Sequence, residues 1–236
     1  MNTQTVLRPA AERFHGRLDW LESRHTFSFG HHYDPAWVGY GPLLVINEDT
    51  IAPGRGFGMH PHRDMEIITV MLEGELTHRD SMGHGAALRV GEVQRMSAGT
   101  GVVHSEVNET DRPCRLLQIW IEPASRGIEP AYEQKTFTVD DQWTLLLDPQ
   151  QTDGAMAIHR PVRLWRAKPG AGDSLELPVA SGRHAWLQLI EGAVELSSSG
   201  QSQPLSSGDG LGFQAGGSDR LTARAAGTDL LLFELA

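Results

Sequence analysis

Val70-Met71-Leu72-Glu73-Gly74-Glu75-Leu76 and Gln188-Leu189-Ile190-Glu191-Gly192-Ala193-Val194 are two copies of one phrase, an apolar run broken by an acid and a glycine and then resumed. Each is followed by a turn glycine, Gly83 or Gly200, and then by Gly91-Glu92-Val93 or Gly208-Asp209-Gly210. The offset is 118 residues between Gly74 and Gly192 and 117 between Gly91 and Gly208, half of the 236-residue chain. Strands that recur together with the turn glycines between them, at a fixed offset, indicate duplication of one β unit.

The rest of the chain reads the same way. Short apolar runs such as Leu43-Leu44-Val45-Ile46 and Arg115-Leu116-Leu117-Gln118-Ile119-Trp120-Ile121 alternate with turns drawn from 26 Gly and 13 Pro. These are strand signals. No window of about eleven residues keeps apolar positions at helical spacing without a Gly or Pro interrupting it. An all-β fold of barrel or sandwich type follows. Glu122-Pro123-Ala124-Ser125-Arg126-Gly127-Ile128-Glu129-Pro130 and the polar stretch around Val139-Asp140-Asp141-Gln142 have the composition of a connector. Two domains are therefore expected, residues 1–132 and 133–236.

Charge and composition exclude several functions. Lys plus Arg number 20 and Asp plus Glu 30, a formal charge of −10 with no basic run, which disfavours direct nucleic-acid binding. No apolar stretch approaches the roughly 20 residues of a membrane-spanning helix. The stretch Met1 to Ala10 lacks a basic start followed by an apolar segment. A soluble, cytoplasmic protein is expected. The single cysteine, Cys114, excludes an internal disulfide framework and a thiolate zinc cluster. Any metal must be held by nitrogen and oxygen.

Nine of the eleven histidines lie in residues 1–104, and only His159 and His184 follow. His60-Pro61-His62 precedes the apolar run from Glu66 to Leu72, and in a strand residues i and i+2 face the same side. Both imidazoles can then reach one ion. A second i, i+2 pair, His104 and Glu106, stands in Val102-Val103-His104-Ser105-Glu106. Two strands of a small barrel would thus bring three imidazoles and one carboxylate around a point, a donor set suited to Fe, Mn, Ni, Cu or Zn. The repeat supplies an internal control. Carried to the second copy, His60, His62, His104 and Glu106 fall on Pro178, Ala180, Leu221 and Ala223. Residues needed only to build the unit should recur with it, and these four do not.

Gly56-Phe57-Gly58-Met59-His60-Pro61-His62-Arg63-Asp64-Met65-Glu66, Leu72-Glu73-Gly74-Glu75, His78-Arg79-Asp80-Ser81-Met82-Gly83 and Met96 through Glu106 resemble the pirin family of the cupin superfamily. Ser23 to Phe29, Tyr33-Asp34-Pro35 and Pro130 to Gln134 also resemble the bacterial pirin-like quercetin dioxygenases. The resemblance is specific over residues 15–135. It implies a bicupin fold, two stacked antiparallel β-barrels of jelly-roll type, with one divalent metal in the N-terminal barrel only. The family's ligands correspond to His60, His62, His104 and Glu106.

Glu66 occupies the place of the ligand glutamate in a general cupin motif. In pirins the later glutamate ligates, so Glu106 ranks first and Glu66 is expected to orient an imidazole by accepting its N–H. His31, His32, His78 and His84 lie near turns and are expected to be solvated. His159 and His184 are assigned packing or surface roles. Asn108 reads as a turn residue. Trp165, Trp186 and Phe213 are expected to fill the second barrel.

The resemblance implies a dioxygenase that cleaves the heterocyclic ring of a flavonol such as quercetin with O2 and releases carbon monoxide. Fe(II) is the favoured ion, with Mn, Ni, Cu, Zn and Co as alternatives. Glu106 would be both ligand and general base for the flavonol hydroxyl. The alternative implied is a non-enzymatic iron-binding pirin acting as a redox-responsive regulator through a protein partner. A monomer is compatible with all of these features.

Overall fold

A computed structural model describes residues 5–198 and 200–235. Met1 to Gln4, part of the stretch read for a targeting signal, lie outside the described residues. The strands are β1 (Val6–Arg8), β2 (Phe14–Arg17), β3 (Leu21–His25), β4 (Leu43–Ile51), β5 (Gly56–His62), β6 (Glu66–Glu73), β7 (Glu75–Asp80), β8 (Gly85–Arg89), β9 (Glu92–Ser97), β10 (Val102–Val107), β11 (Cys114–Ile121) and β12 (Ala131–Thr136). They continue with β13 (Thr144–Leu147), β14 (Arg163–Ala167), β15 (Ser174–Glu176), β16 (His184–Glu191), β17 (Ala193–Ser198), β18 (Gln201–Ser206), β19 (Gly210–Gln214), β20 (Arg220–Ala223) and β21 (Asp229–Leu235). The all-β reading holds, and among the described residues no helix is long and apolar enough to cross a membrane.

Topology confirms the duplication. One unit carries the sheets β12-β9-β6-β11-β4-β3-β2 and β5-β10-β7-β8; the other carries β1-β19-β16-β21-β14-β13 and β15-β20-β17-β18. The shared cores 9-6-11-4 and 19-16-21-14, and 5-10-7-8 and 15-20-17-18, differ by ten strands throughout. The matched glycines make the same turns. Gly74 and Gly192 have φ of 72° and 88°, and a Cβ at Gly74 would stand 2.9 Å from Cys114 Cβ, so a side chain is excluded by conformation and by space.

The units run differently from a cut at 132/133. One comprises Phe14–Phe137 with Ile158–Arg160; the other gathers the N-terminal stretch through Arg13, Thr138–Ala157 and the chain from Pro161 onward. The reason is hydrogen bonding. β1 pairs antiparallel with β19, Leu7 opposite Leu211, which ties the N-terminus to the second unit. Between the two connector stretches lies a strand: β12 pairs with β9 and extends the first unit's large sheet.

Alternation sorts each strand into two faces. In the first unit Ile51, Met71, Cys114 and Leu116 of the large sheet meet Leu76 and Leu88 of the small one. In the second, Ala185, Leu187 and Leu189 of β16 meet Val194, Leu196 and Leu221 opposite, with Trp165 and Phe213 filling the space as expected. Trp186 does not join them. It lies on the other face of β16, fully buried, where a Cβ on Gly210 would collide with its ring. Leu221 and Ala223, the counterparts of His104 and Glu106, are completely buried. A buried Leu side chain contributes about 1.5–3 kcal/mol and an Ala methyl about 0.8 kcal/mol.

Cys114 is 1% exposed, and burial pushes its thiol up to about 11. At pH 8 a chromogenic disulfide reagent is expected to react with the folded chain about a hundredfold or more slowly than with the denatured chain. Equal rates would show that this end of β11 opens readily.

Candidate metal centre

β10 lies between β5 and β7 in the small sheet, with His104 opposite His60 on one side and Asp80 on the other. On the β5 side the register shifts between His104 and Glu106, which faces Phe57. Such a bulge re-aims side chains locally. Gly56 permits the close approach of these strands, since a Cβ there would come within 2.6 Å of Val107 Cα. The result gathers three rings. Centroid separations are 4.8 Å for His60–His62, 4.4 Å for His60–His104 and 4.9 Å for His62–His104, and each imidazole offers a nitrogen within 4.8 Å of the others.

The nitrogens are arranged for an ion. His60 Nδ1 lies 2.7 Å from the Gly58 carbonyl, so it donates there and leaves Nε2 free. His104 Nε2 is buried with no hydrogen-bond partner. An orphaned buried nitrogen carries a cost that coordination would remove. Burial, reinforced by the charge of His60, holds His62 down to about 4; burial, with His60, His62 and His78 around it, holds His104 down to about 3. Both are neutral near pH 7, the form that ligates. This donor set fits a divalent metal.

Glu106 stands beside this group and not within its tightest spacing. Its carboxylate comes within 4.8 Å of nitrogens of His104 and His78. It accepts hydrogen bonds from Thr69 Oγ1 at 3.2 Å and Gln118 Nε2 at 2.9 Å. Burial outweighs these donors and, with Asp49 nearby, pushes the carboxyl up to about 7.

A cavity of about 640 Å³ opens against His60, His62 and Glu106, a size that holds a drug-sized ligand. Phe14, Leu21, Phe29 and Phe57 form apolar wall. Asn47, Asp49, Gln118 and Trp120 also line it, projected inward from β4 and β11. Asn47 Oδ1, Gln118 Oε1 and Trp120 Nε1 are buried without partners. Asp49 accepts from Ser23 Oγ, and burial pushes its carboxyl up to about 6. Sequence reading missed these polar residues, although Asn47-Glu48-Asp49 repeats the i, i+2 pattern that revealed the histidines.

Two expectations are corrected and a third is extended. Glu66 orients none of the clustered imidazoles: it lies three residues from Thr69, hence on the opposite face of β6, where it accepts from Ser97 Oγ at 2.9 Å and contacts His159 Nδ1 at 3.2 Å. His78 is not solvated. Its alternation on β7 turns it inward, 1% exposed, whereas His84 is exposed as expected. Asn108 does shape a turn, accepting the Thr110 N–H, but it is fully buried and also donates to the carbonyls of Ile51 and Arg112.

A family profile described as "Pirin" matches residues 7–121, and one described as "Quercetinase C-terminal cupin domain" matches residues 145–235. The quercetin 2,3-dioxygenase of Escherichia coli (strain K12) is 45% identical over 193 residues, covering 81% of this chain and 83% of its own. The crystal structure of bacterial pirin YhhW from Escherichia coli in complex with nickel(II) shares 40% identity at a TM-score of 0.91, covering 98% of this chain and 99% of that one. YhaK from Escherichia coli shares 28% identity at a TM-score of 0.76, covering 89% and 92%.

Proposed function

The chain belongs to the pirin family, with two cupin domains, and on that premise we propose that it is an iron(II)-dependent dioxygenase that opens the heterocyclic ring of a flavonol such as quercetin. His60, His62, His104 and Glu106 hold the ion in this reading, and the second domain carries none. The observation that carries it is the three-imidazole cluster at the wall of a largely apolar cavity, with a buried carboxylate beside it. When bound, the ion supplies Lewis-acid and one-electron chemistry.

The chain's own residues do the rest. Neutral imidazoles and one carboxylate leave a divalent ion with net positive charge. An N/O donor set with open positions suits non-haem iron. Glu106 takes the proton of the flavonol hydroxyl, its carboxylate standing beside the imidazoles at the wall of the cavity. Thr69 and Gln118 fix its orientation. Asn47 Oδ1 and Gln118 Oε1 accept from further hydroxyls of the substrate, and Trp120 Nε1–H donates to its carbonyl. Phe14, Phe29 and Phe57 cover the planar rings and exclude water.

Oxygen uptake and carbon monoxide release, followed with quercetin and iron-loaded protein, test the proposal. Equimolar O2 consumption and carbon monoxide release are expected. Loaded protein that consumes neither substrate contradicts it and favours a metal-binding protein acting through a partner.

A further inference from the structure

Behind His104, on the side away from His60, β7 places His78 and Asp80 in the i, i+2 relation that makes them share a face. The Asp80 side chain is completely buried yet fully engaged. Its Oδ1 accepts the backbone N–H groups of Met82 at 2.9 Å and His84 at 3.0 Å, and its Oδ2 lies 3.0 Å from His84 Nδ1 and 3.0 Å from His78 Nε2. A carboxylate so held can only accept, so His78 carries its proton on Nε2 and presents a bare Nδ1. That Nδ1 faces His104 Nδ1 at 3.5 Å. Two bare nitrogens would repel; one of the pair must carry a proton, and His78 has already placed its own on the far side.

We infer that Asp80 and His78 are positioning residues that fix the tautomer and ring plane of His104: Asp80 accepts from His78 Nε2–H, His78 Nδ1 accepts from His104 Nδ1–H, and the His104 Nε2 lone pair is left for the metal. The orphaned, buried Nε2 of His104 is the atom this wiring frees. The ring of Tyr132 fixes the relay sideways. It stacks on His78 at 4.7 Å and 28° and on His84 at 4.8 Å and 19°, while its hydroxyl donates to Gln134 Oε1 at 2.8 Å. Carboxylate–histidine relays of this kind raise the basicity of a ligating imidazole and hold its ring in place. The inference rests on the reading of His104 as a ligand; it is independent of flavonol chemistry.

The test uses nickel(II) as probe, without flavonol. His78→Phe keeps the ring stacked on Tyr132 and leaves Asp80 three of its donors, but removes both relay nitrogens. Nickel affinity is expected to fall about 10–100-fold. His78→Gln, whose amide can both donate and accept, is expected to recover most of it. Nitrogen-15 NMR of the metal-free wild-type protein should find His104 protonated at Nδ1 and His78 at Nε2. Unchanged nickel affinity in His78→Phe, or a wild-type His104 protonated at Nε2, overturns the inference. If His78→Phe does not fold, the wild-type tautomers decide. If the wild-type protein binds no nickel, the metal-centre reading fails instead, and the tautomers still judge the relay.

Discussion

Replacing His104 by alanine is expected to lower metal affinity by a few hundredfold or more and to abolish turnover. A four-ligand zinc site supplies about 10–16 kcal/mol of apparent binding free energy. A quarter of that is about 2.5–4 kcal/mol, roughly two to three powers of ten in affinity. His104 is also the ring nearest to both neighbouring sets, 4.4 Å from His60 and within the group that includes Glu106, so its loss leaves the others without a common focus. Because Nε2 has no protein partner, the metal-free variant loses packing but no hydrogen bond at that atom. It should fold. Metal analysis after dialysis against chelator-buffered nickel, alongside thermal unfolding of the metal-free forms, separates loss of the site from loss of the fold. A variant that retains stoichiometric metal would remove His104 from the ligand set.

Replacing Glu106 by glutamine is expected to lower the rate about 10²–10⁴-fold, the span of a positioned general base, while nickel still binds more weakly at the three imidazoles. Proton linkage gives a second readout. In the metal-free protein burial raises this carboxyl to about 7, whereas an unfolded glutamate titrates near 4.3. The folded state therefore holds a proton that the unfolded chain has released between those values. Stability of the metal-free protein should fall as pH rises through that window. A metal ion competes with the same proton, so affinity should rise with pH up to about 7 and then level. Calorimetry in buffers of different ionisation enthalpy should find Glu106 giving up about 0.9 proton at pH 6 and about 0.1 at pH 8. His62 and His104, held at about 4 and 3, are already neutral at pH 6 and release none. Glu106→Gln should remove the Glu106 share of that release. Proton release unchanged in that variant would place the titrating group elsewhere, and undiminished turnover with metal retained would refute the base role.

Turn glycines and alternating runs carried the fold because both are local. Gly74 and Gly192 need positive φ wherever the strands go, and that requirement is written at one position. The histidine pairs were legible for the same reason: His60 and His62, or His104 and Glu106, share a face in any strand. What depended on long-range pairing was not. Nothing near Leu7 announces Leu211, 204 residues away, as its partner. Glu66 was misread because a motif position was trusted over alternation, although its spacing of three from Thr69 already places it on the other face. His78 lies near a turn, which suggests solvent, while its i, i+2 spacing with Asp80 puts both on one face beside His104. Gln118 is hidden inside an apolar run, and Asn47 and Asp49 stand in a polar stretch after one; their significance emerges only when β4 and β11 stand side by side, with Gln118 opposite Asn47.

Titration of metal-free protein with iron(II) in the presence of quercetin and O2 tests the central claim most directly. The initial rate of carbon monoxide release should rise linearly with added iron and break at one ion per chain, as one ion held by His60, His62, His104 and Glu106 requires. A rate that ignores added iron, or protein that fills with one ion and releases no carbon monoxide, would contradict it.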